Sequence, residues 1–324
     1  MALFLSEADV KQLLTMDLAL EAVEAAHRAH GTGRAIDIPR QRTRVPTASL
    51  HILQGALLDE GVMGYKAYTV SKEGARFLVH LFDATSGRLL AMIEADYLGM
   101  MRTGATGGLA AKLLAREDAT TVGLFGAGWQ AQSQVEALCR VRQIKRVKVY
   151  SRDPEKRRAA TADFARRFGQ KFGFEAIPAE SAEEAACDSD IVVAITSSAT
   201  PVFDGAWLDD GCHVNAAGSN ALIRREIDET TVRRAGVICV DSRATALAES
   251  GDLLSALEKG RLHAGQLVEL GEVVAGVRPG RTAADKITLF ESQGMAIQDL
   301  ALANRLLRLA RERRLGRELA LGII

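Results

Sequence analysis

The sequence predicts an α/β fold in which a doubly wound parallel sheet is preceded by an α+β unit, and three observations carry this. After Asp118, short apolar runs ("TTVGLFGAG", "RVKVYSRD", "DIVVAITSS", "CHVNAAGS", "GVICVDS") alternate with helical segments, the pattern of βαβ units. From about residue 40 onwards, "ASLHILQGALL", "VMGYKAYTV", "RFLVHLFDA" and "RLLAMIEA" instead follow one another across turns such as "SKEG" and "TSG", as in an antiparallel meander. Finally, "GLFGAGWQAQSQ" sets Gly126, Gly128 and Ala131 between a strand-like run and a helical one.

Taken in order, the chain opens with helices. Ser6 with Asp9, and then Asp17, read as N-caps, and "LALEAVEAAHRAH" keeps helical spacing until Gly31 and Gly33. His27 and His30 share a helix face, but no third ligand accompanies them, so they read as surface histidines and no metal is expected. After the meander, "DYLGMMRTGATGGLAAKLLA" reads as a helix with small residues on one side, which permits close approach of a neighbour or a ligand. The last segment, "GMAIQDLALANRLLRLARERRLG", is a long amphipathic helix whose basic residues form a solvated face.

Composition narrows the class. With 324 residues and 48% hydrophobic side chains, the chain suits two domains with sizeable cores. Lys plus Arg and Asp plus Glu both total 41, which leaves no basic excess for nucleic acid or anionic lipid, and 5% aromatic residues offer no stacking platform. Cys139, Cys187, Cys212 and Cys239 are widely spaced and read as free thiols of a reducing compartment. The start "MALFLSEADVKQLL" lacks a basic n-region and no apolar run reaches spanning length, so a cytoplasmic protein is expected.

The glycine turn carries the first chemistry. In a βαβ unit the first glycine allows the tight turn, the second lets backbone approach a pyrophosphate, and a small third residue packs helix on strand. Gly126, Gly128 and Ala131 fill these places, with Gln130 just before the helix whose N-terminal N–H groups would face the phosphates. This is the turn of a Rossmann-type domain. The next strand, "RVKVY", ends in Ser151 and Arg152 rather than an acid; a hydroxyl and a guanidinium suit the 2′-phosphate of NADP. In the competing reading Arg152 is a solvated cation and Asp153 holds NAD.

Together with "MMRTGATGGLAA", "AITSSATPVF", "HVNAAGSN", "VDSRATALAESGDL" and "TLFESQGMAIQDLALA", the turn resembles the ornithine cyclodeaminase and μ-crystallin family nearly end to end. The resemblance implies a homodimer with a substrate and dimerisation domain at 1–118, a Rossmann domain at 119–298 and a C-terminal helix at 299–324 returning to the first domain. It also implies hydride transfer at the α-carbon of a small amino or imino acid, with cations for the carboxylate and a proton donor near the nitrogen.

Site residues follow from both readings. Arg42 in "PRQRTRVP" matches the family's carboxylate-binding arginine just before the first strand, while its neighbours Arg40 and Arg44 read equally as edge charges. Lys66 lies in an apolar run, where a buried ammonium needs an anion nearby and shifts its pKa readily, which suits a proton donor or a cation that orients the substrate carboxylate; in the competing reading it points outward from a half-exposed strand. Arg102, read as a helix start, also needs an anion, which the resemblance supplies as substrate carboxylate or cofactor phosphate and a structural salt bridge would supply otherwise; Thr103 adds a hydroxyl there. Thr196, Ser197 and Ser198 end a strand at the carboxyl edge of the sheet and are candidates for the nicotinamide ribose. The resemblance assigns Ser292, Gly294 and Met295 to a segment closing over the nicotinamide and leaves Asp299 as a capping or pairing residue within the last helix. Asn220 stands where cyclodeaminases and archaeal-type alanine dehydrogenases carry an aspartate; an amide steers a nitrogen but does not titrate.

The expectation is therefore an NADP-dependent (or NAD-dependent) reductase of a cyclic ketimine such as pyrroline-2-carboxylate. Ornithine cyclodeaminase, alanine dehydrogenase and a non-catalytic nucleotide-binding protein are the alternatives.

Overall fold

The computed structural model describes residues 2–320. The chain divides into two compact units, residues 1–102 with 295–324, and residues 103–294. The change-over falls inside the helix Asp96–Leu114 and just before the last helix, earlier than the boundaries at 118 and 298 read from the sequence. The reason lies in Gly104, Gly107 and Gly108: a Cβ on any of them would collide with Ser133, Gln134 or Ala137 of the helix Ala131–Val141, so the second part of Asp96–Leu114 packs within the second unit.

Among the described residues, the first unit holds a seven-stranded sheet. Strands β1 (Ala2–Leu5), β2 (Ala35–Val45), β3 (Ala48–Leu57), β4 (Val62–Ser71), β5 (Gly74–Asp83) and β6 (Leu89–Glu94) are joined by a last strand, Arg317–Leu319. β2 to β6 form the antiparallel meander, and β1 pairs parallel to β6. Arg42 thus lies inside β2, a correction to its placement before the first strand; Pro39 and the arginines hide the strand from a propensity reading.

β2 carries a bulge. Ile38 pairs with Gln54, but Gln41 pairs with Ile52 and Arg42 with His51, so one extra residue is inserted at Pro39–Arg40. Regular pairing would have set Arg42 opposite Leu50, on the other face. The bulge brings Arg42 to the face that holds His51 and Tyr68, and buries Arg40.

The helix Ala296–Arg313 lies on that same face. A Cβ at Gly55 or Gly64 would collide first with the carbonyl oxygen of Ile36 or His80 and also press on Ile297 or Leu300 of the helix, so glycine is needed at both places. The helix Met16–Gly31 packs on it in turn. Ser6 caps Glu7–Leu13 in a capping box with Asp9, whereas Thr15 rather than Asp17 caps Met16–Gly31.

The second unit is an eight-stranded, all-parallel sheet: β7 (Thr121–Phe125), β8 (Arg146–Tyr150), β9 (Glu175–Pro178), β10 (Ile191–Ala194), β11 (His213–Ala216), β12 (Ala235–Val240), β13 (Leu267–Glu269) and β14 (Ile287–Glu291). Its order is β13-β12-β14-β11-β10-β7-β8-β9, so the winding reverses between β7 and β10. This is the doubly wound sheet the sequence predicts, with ligand crevices expected at the carboxyl ends of β7 and β10. The apolar clusters on its two faces share the alternating side chains of β7 and β10, as both-faced burial requires. No helix of the described residues is long and apolar enough to cross a membrane.

Candidate active site

In the second unit the three positions of the glycine turn have three different physical reasons. Gly126 sits at φ +124°, and a Cβ there would stand 2.5 Å from the Ile195 carbonyl oxygen. Gly128 has nothing within 4 Å of its Cβ position, which leaves its backbone open to a ligand. Ala131 is fully buried under the helix it begins. No side chain caps that helix, whose N-cap residue is Gln130, so its N-terminal dipole is left for an anion. This chain's backbone therefore fits a dinucleotide pyrophosphate.

Ser151 and Arg152 follow β8 directly, with Arg152 exposed. Asp153 is committed elsewhere: it caps the helix Pro154–Phe164, accepting from the N–H groups of Glu155 at 3.0 Å and Lys156 at 3.2 Å. Thr196, Ser197 and Ser198 form the loop after β10, and Asn220 lies in the loop after β11. A buried carboxylate ties the two loops together, since Glu226 accepts from the backbone N–H groups of Thr196 and Gly218. Burial pushes its pKa up to about 7. Ser292 donates its hydroxyl to Asp241, which also accepts the N–H of Gly294. Thr103 begins this unit, and its carbonyl accepts from Gln134.

In the first unit a buried ionic cluster stands at the end of the glycine-lined face. Asp299, with no solvent exposure, receives Lys66 Nζ at 3.1 Å and Arg102 Nε at 3.2 Å, both on Oδ1. Its Oδ2 accepts from none of the described residues. Arg102 also donates from Nη1 to Gln298 at 3.0 Å. The Lys66 ammonium lies over the rings of Phe77 and Tyr68, at 5.4 and 6.0 Å from their centres. Burial is the main cause that lowers the Lys66 pKa to about 8; Asp299 opposes it, while Arg102 and Arg40 add to it. Arg42 lies one cross-strand row away, beside His51, which stacks on Tyr68. Burial, and then Arg42, Arg40 and Arg44, hold the His51 pKa down to about 4.

Four sequence readings need correction here. Arg102 does not start a helix but lies nearly two turns into Asp96–Leu114, and a side chain of this protein supplies its anion. Asp299 pairs outside its own helix, with side chains far away in sequence. His27 is completely buried rather than on the surface. Arg40, read as a possible edge charge, is buried as well. A signal for Asp299 existed: an acid inside the apolar run "AIQDLALA" can enter a core only with a cation.

The family model for "Ornithine cyclodeaminase/mu-crystallin family" matches residues 1–314. The chain belongs to this family. It is 37% identical to a Delta(1)-pyrroline-2-carboxylate reductase of Bacillus cereus, over 78% of this chain and 79% of that protein. Among solved structures, that of Thermococcus litoralis Delta(1)-pyrroline-2-carboxylate reductase in complex with NADH and L-proline superposes with a TM-score of 0.91 at 34% identity, covering 98% of this chain and 100% of that one. An archaeal alanine dehydrogenase dimer with bound NAD does so with a TM-score of 0.91 at 32% identity, covering 99% of both chains.

Proposed function

We propose that this protein is an NAD(P)H-dependent reductase of small cyclic 2-imino carboxylates, of which pyrroline-2-carboxylate is the model substrate. One observation supports it above the rest: a buried lysine with its pKa lowered to about 8, held on a carboxylate beside a buried arginine. Such a lysine keeps a transferable proton near neutral pH and is fixed in place to deliver it.

In this reading Arg42 and Arg102 bind the substrate carboxylate, Lys66 passes its proton to the imine nitrogen, and Asn220 steers that nitrogen. A nicotinamide nucleotide, when bound, supplies the hydride that adds to the imine carbon. Gly126, Gly128 and Gln130 would hold its pyrophosphate, with Ala131 letting the helix pack close on the strand beneath it. Thr103, Thr196, Ser197 and Ser198 would serve its ribose and phosphate groups, and Ser292, Gly294 and Met295 would belong to the segment that closes over the nicotinamide. The relatives solved with NADH and L-proline, or with NAD, support the cofactor class. Reduction of a preformed imine has little need of a base at position 220, where an asparagine stands; for that reason we place reduction ahead of cyclodeamination.

For the nucleotide we favour NADPH, because Asp153 is occupied as a helix cap while Ser151 and Arg152 directly follow the strand end. Initial rates with NADPH and NADH test this. NADPH is expected to have the lower KM, and Arg152→Ala to remove about ten- to a hundredfold of that preference, the worth of a charge-assisted contact. An unchanged preference in Arg152→Ala removes Arg152 from the phosphate site.

We also propose a homodimer through the outer face of the first sheet. Ile36, Ile38, Leu50 and Met63 stand 50%, 37%, 37% and 38% exposed on the side opposite Lys66, an apolar area that a second copy would cover. Light scattering is expected to give twice the chain mass for the native protein and the single mass for Ile38→Glu. A dimeric Ile38→Glu would place the interface elsewhere.

A further inference from the structure

We infer that His27 is a positioning residue that, through Gln298, fixes the aim of the Arg102 guanidinium. The inference rests on the proposed role of Arg102 in holding the substrate carboxylate. His27 and Gln298 are both completely buried, on the helices Met16–Gly31 and Ala296–Arg313.

The atoms of the chain can be assigned from donor and acceptor rules alone. A guanidinium only donates, so the atom of Gln298 that faces Arg102 at 3.0 Å is its carbonyl oxygen. The backbone N–H of Met295 donates to the same oxygen at 3.3 Å and fixes the amide independently. The amide nitrogen of Gln298 therefore faces His27 Nε2, at 3.1 Å. An N–H directed at a ring nitrogen requires that nitrogen to be bare, so His27 is neutral with its proton on Nδ1. An imidazolium would set N–H against N–H. Burial, with His30 adding, holds its pKa down to about 3, so the acceptor persists throughout the working range.

His27 thus holds the Gln298 amide in one orientation. The amide in turn fixes Arg102 Nη1, while Asp299 fixes Arg102 Nε. Two acceptors at different edges define both the position and the plane of a guanidinium, which a single ion pair does not. The arrangement has a cost: Nδ1, which carries the proton, has no hydrogen-bond partner among the described residues. A residue serving packing alone would be better apolar here.

The test uses the native enzyme, His27→Leu and His27→Gln. In ¹⁵N spectra the native protein is expected to show His27 neutral with Nε2 unprotonated from pH 5 to 9, a pH range chosen as roughly two units about neutrality. A protonated Nε2 overturns the inference whatever the activity. His27→Leu exchanges one unsatisfied buried donor for another, so Tm should hardly move. The KM for the imino carboxylate should rise about tenfold, the worth of a lost aligning hydrogen bond, with nucleotide KM unchanged. His27→Gln, which again offers an acceptor, should restore most of it. Equal loss in kcat and both KM values, following Tm in both variants, would make His27 merely structural and overturn the inference. A native enzyme that shows the expected tautomer but reduces no imino carboxylate would overturn the functional reading and leave the hydrogen-bond chain standing.

Discussion

Replacing Lys66 by methionine is expected to lower kcat for imine reduction by about 10²- to 10⁴-fold, the usual contribution of a positioned proton donor. The side chain is buried on the inner face of β4, with Leu53 and Val79 as cross-strand neighbours, so methionine fills its volume and the fold should survive. The pH dependence gives the same residue a second signature. The proton-bearing form acts in reduction, and its pKa is lowered to about 8. Native kcat/KM should therefore be flat below that pH and fall about tenfold per unit above it. In Lys66→Met that limb should vanish. A variant with native kcat would remove Lys66 from catalysis.

Asp299→Ala should produce the largest loss of stability. It strips one anion from two buried cations, and breaking a buried pair from one side costs about 3–5 kcal/mol. Lys66 would then lose its proton within the working range, since Asp299 is what opposes the lowering of its pKa. Stability to denaturant and activity should fall together. The double variant Lys66→Met, Asp299→Ala removes one of the stranded cations and should regain part of the stability, an interaction of about 0.5–3 kcal/mol, without regaining activity. Strictly additive losses would mean that the two side chains are energetically independent despite their contact.

The parts of the fold that were legible in the sequence are those fixed by local rules. Gly126, Gly128 and Ala131 each answer a backbone requirement within one βαβ unit, and β3 to β6 carry turns between consecutive runs. β14 was less legible: "ITLFE" is short, completely buried and placed between β11 and β12 only by the topology of the sheet. β2 was masked by Pro39 and its arginines, and the bulge that decides which of them face inward depends on pairing with β3.

The ionic cluster was half legible. Burial of Lys66 followed from its apolar run, but its partner lies 233 residues away, and the Arg102 contact with the same carboxylate spans 197. The burial of His27 is legible in the sequence. The residue falls on the apolar stripe of its helix, four residues after Val23 and next to Ala26, which spacing alone assigns to the core.

The most direct test of imine reduction is to mix the purified protein with pyrroline-2-carboxylate and NADPH, and separately NADH, and to follow nucleotide oxidation together with the amino acid formed. Rapid oxidation is expected, faster with NADPH at low nucleotide concentration, with one proline formed for each nucleotide consumed. No oxidation with either nucleotide would contradict the proposed reaction, and the glycine turn and the Lys66–Asp299–Arg102 cluster would then have to serve a different one.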